Sequence, residues 1–203
     1  MREFEGSGDL LWRAEVGGEE LEVWEPRETE VVLGRCSRFP QEVREEEVAA
    51  DGVPLAARRG GGCAVVVGPG VLILSYRRRG RRPLCPAHWS AGASRVLASA
   101  LERLGVRGLV WRAGGDLSLG HRKVLGSCLY LAAELMVYGA SLLANPDLSL
   151  AERYLRHPPR EPEYRRGRSH RDFVTSLWEQ GYRFSTRELA LVLGPAAWAG
   201  WRD

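Results

Sequence analysis

Residues 115–130 read GDLSLGHRKVLGSCLY, and this stretch decides the fold that the sequence predicts. Two apolar runs, Asp116–Leu119 and Val124–Tyr130, flank the loop GHRK, a pattern that predicts two strands joined by a loop. The loop contains Lys123, the only lysine among 29 Lys and Arg side chains. Lysine offers a compact charge where arginine offers a rigid fork, so Lys123 indicates a position that needs a point charge. A chain-wide preference for arginine would leave the same count, and the neighbourhood of Lys123 has to decide between these readings.

Strand and helix signals mix irregularly on both sides of this stretch. Periodicity and turn residues predict a hairpin over Leu10–Trp24 around Gly17-Gly18. They also predict strands at Glu30–Gly34, Leu109–Trp111 and Ser141–Ala144. The segment Cys63–Tyr76 is predicted to form two strands, interrupted at Gly68-Pro69-Gly70. Helices are predicted over Ala87–Leu104 before Gly105, and after capping boxes at Ser149/Glu152 and Ser185/Glu188. The acidic segment Gln41–Ala50 is helix-permissive and ends at Asp51-Gly52. Because no regular strand–helix–strand period is present, the pattern predicts an α+β fold and not a doubly wound sheet.

Composition excludes several classes of protein. The formal net charge of +3 is too small to indicate nucleic-acid binding. The sequence contains no apolar run of about 18 residues, the length that a membrane span needs. Its acidic N-terminal segment lacks a signal core, so we expect a cytoplasmic protein with four reduced thiols. Cys85 and His88 have a Cys-x-x-His spacing without a second ligand pair, which makes a metal site there a poor expectation.

A second loop carries chemistry. Arg58-Arg59-Gly60-Gly61-Gly62 leads directly into the apolar strand that begins near Cys63. Consecutive glycines let backbone N–H groups approach an anion closely, and a neighbouring arginine can bind phosphate or carboxylate through two parallel hydrogen bonds. A surface turn would have the same composition, so the motif alone leaves both readings open. The run Arg77–Arg82 is expected to be a solvated basic turn.

Taken together, these segments resemble the lipoate–protein ligase family, part of the biotin/lipoate ligase and octanoyltransferase superfamily. Four blocks carry the resemblance in the family's order, ETEVVLGRCS at 28–37, LAARRGGGCAVVVGPG at 55–70, the lysine stretch at 115–130 and SLLANPDLSLAERYL at 141–155, with a weaker fifth, SHRDFVTSL, at 169–177. The resemblance implies an α+β fold with a central mixed sheet flanked by helices, like the biotin/lipoate ligase catalytic domain. It implies a single domain over 1–203, with an atypical hairpin at 1–23, the family core at 24–177 and a helical tail at 178–203, without the family's accessory domain.

The resemblance also implies an activity and a site. In the family, lipoate or octanoate reacts with Mg·ATP to give acyl-AMP, and the acyl group then passes to a lysine of a lipoyl carrier domain or an H-protein-like acceptor. By this resemblance Lys123 is the catalytic residue that contacts the acyl carbonyl and the phosphate. Asp116 would bind magnesium or nucleotide, Arg58 would hold phosphate or the acyl carbonyl, and Gly126 would belong to the same binding loop. The loop and strand that line the ligand would be Gly61, Gly62, Cys63, Ala64, Val65 and Val66.

Several positions depart from the family pattern. The aromatic-His-Asp run after the glycine loop is replaced by Val66-Val67-Gly68, and Gly115 stands where the family has asparagine. Three hypotheses therefore stay open: an ATP-dependent ligase that could need an accessory protein, an octanoyl or lipoyl transferase working through a cysteine thioester, and a binding paralogue without catalysis. No cysteine stands where the family's transferases place theirs; Cys63 and Cys128 are nearest the expected site, and each is expected to be a buried, inert thiol. By the same resemblance, the basic stretch Arg153–Arg171 is expected to dock an acidic lipoyl domain, and neither nucleic acid nor a membrane is an expected partner.

Overall fold

Nine β-strands form two sheets in residues 19–79, 85–132 and 134–199, the part of the chain that this computed structural model describes. The strands are β1 Glu19–Trp24, β2 Glu30–Leu33, β3 Leu55–Ala57, β4 Val65–Val67, β5 Val71–Arg79, β6 Leu109–Arg112, β7 Asp116–Leu119, β8 Arg122–Leu131 and β9 Leu135–Leu143. The helices are α1 Phe39–Glu42, α2 Glu45–Ala50, α3 Pro86–Arg103, α4 Ser149–Tyr154, α5 His170–Phe173, α6 Thr186–Leu193 and α7 Pro195–Trp198, with a 3-10 turn at Glu163–Arg165.

The larger sheet has the order β1-β5-β9-β8-β7-β6, and all its neighbouring strands are antiparallel. The smaller sheet has the order β3-β2-β4, where β2 is parallel to β3 and antiparallel to β4. The predicted α+β class with mixed strand pairing and flanking helices is therefore confirmed, and the mixed pairing lies in the smaller sheet. Only Gly68-Pro69-Gly70 separates β4 from β5, although the two strands belong to different sheets. This short break therefore carries the chain from the smaller sheet to the larger one.

Helices α3, α6 and α7 cover one face of the larger sheet. The helical spacing in α3 brings Leu97, Ala100 and Leu101 into the core, where all three are fully buried. Complete burial of a leucine side chain contributes about 1.5–3 kcal/mol, so this face supplies much of the packing energy. Gly105 follows the helix with φ +93°, a conformation that favours glycine, and confirms the predicted end of α3.

The helix-permissive segment Gln41–Ala50 contains the end of α1 and all of α2, with a break between them. Val43 separates them in an extended conformation, with φ −118° and ψ 141°. Its backbone forms an isolated antiparallel bridge with Leu155, and its side chain is 1% exposed. The segment is therefore helical on both sides of Val43, where this long-range backbone pairing, which the local sequence does not reveal, outweighs helix propensity.

Arg77 corrects the prediction of a solvated basic turn over Arg77–Arg82. Arg77–Arg79 belong to β5, and Arg77 is only 2% exposed. The guanidinium of Arg77 donates to Glu22 Oε2 at 2.7 Å and to Glu20 Oε2 at 3.2 Å, both on β1. Two carboxylates on the neighbouring strand therefore make this burial possible, and residues 80–82 lie outside the described residues.

The two predicted capping boxes have different outcomes. Ser185 accepts a hydrogen bond from the backbone N–H of Glu188, whose carboxylate accepts one from the N–H of Ser185, so this box is confirmed. The box at Ser149 was wrong, since the N-cap residue of α4 is Leu148 and Ser149 donates to Asp147. The second strand of the predicted N-terminal hairpin is β1, which pairs with β5, while its expected partner over Leu10–Val16 lies outside the described residues.

Candidate active site

A β-bulge places the side chain of Lys123. Ser118 on β7 pairs with Lys123 on β8, whereas the preceding residue Leu117 pairs with Leu125, which leaves Val124 as one extra residue on β8. A bulge of this kind locally changes the direction of a side chain. Lys123 was predicted to lie in a loop, but β8 begins at Arg122 and Lys123 is its second residue. Strand pairing therefore fixes the lysine more firmly than a loop would.

Lys123 forms an ion pair with a nearly buried carboxylate. Its Nζ lies 2.8 Å from Asp116 Oδ1, and the Asp116 side chain is 9% exposed. The other carboxylate oxygen, Oδ2, accepts a hydrogen bond of 2.9 Å from the hydroxyl of Tyr164. Burial, followed by the negative charge of Asp116, raises the pKa of Tyr164, so the phenol stays protonated and acts as a donor. Asp116 is thus oriented from two sides and in turn orients the Lys123 ammonium.

Two glycines make room for this arrangement. A Cβ atom at Gly126 would lie 2.7 Å from Cε and 2.8 Å from Nζ of Lys123, so the lysine stem rests directly on the bare backbone. Gly115 has φ +90°, and a Cβ there would lie 2.2 Å from Ser127 Oγ. The Ser127 hydroxyl instead donates to the Gly115 carbonyl at 2.9 Å and fixes the turn before Asp116. The Gly-Ser pair that follows the lysine therefore has a steric and a hydrogen-bonding role.

The triple-glycine loop is organised by Arg58. Its guanidinium donates to the carbonyl oxygens of Val32 at 3.1 Å, Gly61 at 2.9 Å and Cys63 at 2.8 Å. A Cβ at Gly34 would lie 2.1 Å from the Gly62 carbonyl oxygen, so the turn after β2 packs against the loop without a side chain. Arg58 thus holds the shape of the loop, and its expected contact with phosphate or an acyl carbonyl stays a prediction.

The glycine loop and the Lys123–Asp116 ion pair line one cavity of about 1080 Å³, with walls from both sheets. Of the predicted site residues, those that line it are Arg58, Gly62, Cys63, Ala64, Val65, Val66, Asp116, Lys123 and Gly126. Gly61 does not line the cavity and contributes instead its carbonyl to Arg58. The cavity also has an apolar wall formed by β4, Ile73 and Leu143. A cationic group and an apolar surface therefore line the same cavity.

Tyr164 is a site residue that the sequence reasoning missed. It lies in the stretch Arg153–Arg171, which was predicted only as a docking surface, and nothing in its local sequence indicates a contact with Asp116. Much of the basic charge of this stretch is used within the chain. Arg168 donates to the carbonyls of His121, Tyr164 and Asp172, and Arg153 pairs with Asp51. Docking by this stretch stays a prediction.

A magnesium ion fits this site only with help from the substrate. Across the described ranges, no group of three or more His, Cys, Asp or Glu side chains could hold a metal ion, and this includes the neighbourhood of Cys85 and His88. Asp116 offers a single carboxylate on the cavity wall. Because Mg²⁺ is commonly held by one or two carboxylates together with substrate phosphates, Asp116 fits that role.

Two further sequence expectations concern the whole chain. Cys36, Cys63, Cys85 and Cys128 are all free thiols, and only Cys63 and Cys128 line the cavity. Among the helices of the described residues, none has the length and apolar character needed to cross a bilayer.

Comparison with known proteins gives a consistent result at three levels. The family model described as lipoyl protein ligase A/B catalytic domain matches residues 13–193. A curated protein of Aeropyrum pernix, with the provisional name lipoate-protein ligase A, is 32% identical over 123 residues, which cover 61% of this chain and 46% of that protein. The chain thus spans about half the length of this curated relative.

Solved structures share the fold. The bipartite lipoate protein ligase of Thermoplasma acidophilum, solved with its E2 lipoyl domain, has a TM-score of 0.77 at 20% identity and covers 94% of this chain and 75% of its own. A lipoate-protein ligase A bound with ATP has a TM-score of 0.74 at 19% identity and covers 89% and 71%. At these identities the likeness establishes the arrangement of strands and helices.

Proposed function

The chain belongs to the lipoyl protein ligase A/B catalytic-domain family, and from this membership we propose that it activates lipoate or octanoate with ATP and transfers the acyl group to a lysine of a lipoyl carrier domain or an H-protein-like acceptor. One observation carries the proposal: the Lys123 ammonium, oriented by Asp116 at 2.8 Å, and the glycine loop line the same cavity.

In the first proposed step, a carboxylate oxygen of the acid attacks the α-phosphorus of ATP and pyrophosphate leaves, which forms an acyl-AMP anhydride. Negative charge on the phosphoryl oxygens shifts during this step, and a fixed cation beside them stabilises the transition state. Lys123 supplies that cation, and its 26% side-chain exposure leaves the ammonium accessible to a ligand. Magnesium bound at Asp116 would neutralise further phosphate charge.

In the second proposed step, the amine of the acceptor lysine attacks the acyl carbonyl and AMP leaves, which forms the amide. Charge then develops on the carbonyl oxygen, and the Lys123 ammonium on the cavity wall would stabilise it. Holding the acyl-AMP and the acceptor amine together supplies much of the remaining acceleration. The apolar wall of β4, Ile73 and Leu143 suits a medium-length acyl chain.

A direct experiment measures exchange of labelled pyrophosphate into ATP, with lipoate, with octanoate and without acid. The proposal predicts exchange only when an acid is present. Mass spectrometry of a lipoyl domain incubated with the protein, ATP and each acid then reports amide formation. Binding of the acids without exchange or transfer would instead support the hypothesis of a paralogue without catalysis.

A transferase is a second candidate, and one observation favours it: two thiols, Cys63 and Cys128, line the cavity. A thiolate there could take an acyl group from a carrier thioester and pass it to the acceptor lysine without ATP. Incubation with an octanoyl-carrier thioester, followed by peptide mass spectrometry, separates the two mechanisms. An octanoyl adduct on either cysteine, together with transfer in the absence of ATP, would favour the transferase.

The proposal includes a separate accessory protein. The Thermoplasma acidophilum neighbour is described as a bipartite ligase with an E2 lipoyl domain, which supports both a second polypeptide and a lipoyl-domain acceptor. Exchange and transfer are therefore to be measured with and without such a second polypeptide. The four free thiols support a reducing, cytoplasmic location for the reaction.

A further inference from the structure

Glu42 is a buried carboxylate that contacts the ligand-binding loop. It lies at the end of α1 and is 2% exposed. Its Oε2 accepts a hydrogen bond of 2.6 Å from the backbone N–H of Ala64, the residue before β4. None of the basic side chains in the described ranges forms an ion pair with it. A carboxylate is expensive to bury, so without a paired cation the hydrogen bonds that it accepts have to compensate for the loss of water.

The same carboxylate reaches the loop by a second route. Oε2 of Glu42 also accepts from the hydroxyl of Ser37 at 2.8 Å, and Ser37 Oγ accepts from the backbone N–H of Gly34 at 3.0 Å. Gly34 is the residue whose Cα packs against the carbonyl of Gly62. Oε1 accepts from the backbone N–H of Arg38 at 3.0 Å, which ties the carboxylate to its own helix. Glu42 therefore fixes both the end of the loop and the turn beneath it.

Glu42 and Arg58 act on complementary groups of the loop. Arg58 donates to the carbonyl oxygens of Gly61 and Cys63, whereas Glu42 accepts from the N–H of Ala64. The backbone from Gly61 to Ala64 is thus held by a cation on its acceptors and an anion on its donor. We call this arrangement the loop clamp. Arg58 directly follows β3, and Glu42 is the last residue of α1. The loop clamp therefore joins β3 and α1 to the glycine loop.

We propose that Glu42 is a positioning residue that, through the N–H of Ala64, holds the glycine loop in the shape that admits the acyl substrate. This inference rests on the proposed function for the identity of the substrate, but the clamp itself is a property of the fold. The clamped residue Ala64 lines the cavity together with Val65 and Val66, so a shift of the loop would move the wall against which the acyl chain packs. Glu42 itself does not line the cavity and acts only through the loop.

Glu42→Gln is the sharpest substitution because it preserves shape. Glutamine keeps one acceptor oxygen but places an NH₂ group against either Ala64 N–H or Arg38 N–H, both of which are donors. Glu42→Ala would also open a buried space and could prevent folding, which makes it a weaker test. Glu45→Gln is the matched control, since Glu45 begins the next helix and is exposed.

The thiol of Cys63 reports on the clamp without any catalysis. Cys63 precedes Ala64 and is partly buried, whereas Cys85 is exposed and serves as an internal reference in the same protein. Alkylation of each cysteine by iodoacetamide is followed by peptide mass spectrometry on folded protein, with thermal unfolding of each variant as a check. In Glu42→Gln we expect iodoacetamide to alkylate Cys63, relative to Cys85, about tenfold faster than in the wild type, because a buried hydrogen bond to a charged group is lost. In Glu45→Gln we expect the wild-type ratio of the two rates.

Kinetics separate positioning from a general loss of structure. In acid-dependent pyrophosphate exchange we expect Glu42→Gln to raise KM for the acid about tenfold with a much smaller change in kcat, because the reacting groups at Lys123 are untouched. If Cys63 in Glu42→Gln is alkylated at the same rate, relative to Cys85, as in the wild type, the clamp is overturned. Faster alkylation with an unchanged KM for the acid would overturn the role in substrate positioning. If the wild-type protein shows no exchange, the proposed ligase activity fails, while the alkylation ratio still decides whether Glu42 holds the loop.

Discussion

The ammonium nitrogen of Lys123 lies 2.8 Å from Oδ1 of Asp116, across a strand pair whose register shifts by one residue beside it. The shift leaves Val124 as an extra residue, and both Val124 and Leu125 are fully buried next to the lysine. The lysine side chain is therefore anchored by the core on one side and by a carboxylate on the other. This geometry provides a cation of fixed position on the wall of the cavity.

Gly126→Ala is predicted to lower acyl activation strongly without unfolding the protein. The new methyl group would lie 2.7 Å from Cε and 2.8 Å from Nζ of Lys123, and the lysine has to move. A displacement near 1 Å at a reacting group can cost about 100-fold in rate, so we expect a loss of about that size in acid-dependent pyrophosphate exchange.

A double-mutant cycle tests whether this loss acts through the lysine. In a Lys123→Ala background, the same Gly126→Ala change is expected to have little further effect on exchange. If the exchange rate of the double variant falls by the product of the two single fold-losses, Gly126 acts by another route.

Tyr164→Phe is predicted to reduce kcat about tenfold, the usual effect of deleting a hydrogen bond to a charged group. The substitution removes the 2.9 Å hydrogen bond to Asp116 Oδ2 and leaves the ring contact with Phe173 in place. Tyr182→Phe is the control, because the Tyr182 hydroxyl contacts only the backbone of Arg107 and does not line the cavity. Equal rates for the two variants would argue against a role for Tyr164 in orienting Asp116.

The acid stability of the protein is predicted to depend on His170. Burial, followed by the charge of Arg165, lowers the pKa of His170 from its ordinary value of 6.5 to about 4. Between these two values the unfolded chain binds a proton that the folded chain does not, so the free energy of unfolding falls as pH drops from 6.5 toward 4. Thermal unfolding across this range measures the slope.

His170→Gln is expected to make that slope shallower, since it removes the group that titrates differently in the two states. His88→Gln changes an exposed histidine and serves as the control. A slope that is unchanged in His170→Gln would contradict the assignment of this acid sensitivity to His170.

Arg77 gives a prediction about stability alone. Its side chain is 3% exposed, whereas those of its partners Glu20 and Glu22 are 40% and 22% exposed. Removing both carboxylates would strand a buried cation, a loss that typically costs about 3–5 kcal/mol. Arg77→Met instead leaves two carboxylates that water can reach. In denaturant unfolding we therefore expect Arg77→Met to have a higher free energy of unfolding than the double variant Glu20→Gln/Glu22→Gln. The reverse order would contradict this account of the ion pairs.

Local signals predicted much of the fold. The Gly-Pro-Gly break between β4 and β5, the extent of α3 with Gly105 after it, and the cap at Ser185 all depend on residues close in sequence. Lys123 and Asp116 were each predicted as site residues from the resemblance, but the ion pair between them depends on the bulge in the pairing of β7 with β8.

Features set by distant contacts could not be predicted. Val43 is extended because it bridges Leu155, Arg77 is buried because β1 supplies two carboxylates, and Tyr164 reaches Asp116 across 48 residues. The bulge at Val124 is likewise a property of the pairing between β7 and β8. In each case tertiary contacts outweigh the preference of the local sequence.

The most direct test of the central claim compares the rate of acid-dependent pyrophosphate exchange by Lys123→Arg with that of the control variant Arg122→Lys. Arg122 is the adjacent residue, pairs with Glu179 and does not line the cavity. We predict that Lys123→Arg keeps its thermal unfolding midpoint and loses at least about 100-fold in exchange, as removal of a fixed transition-state donor does, while Arg122→Lys stays near the wild-type rate. Exchange by Lys123→Arg at the rate of Arg122→Lys would contradict the account.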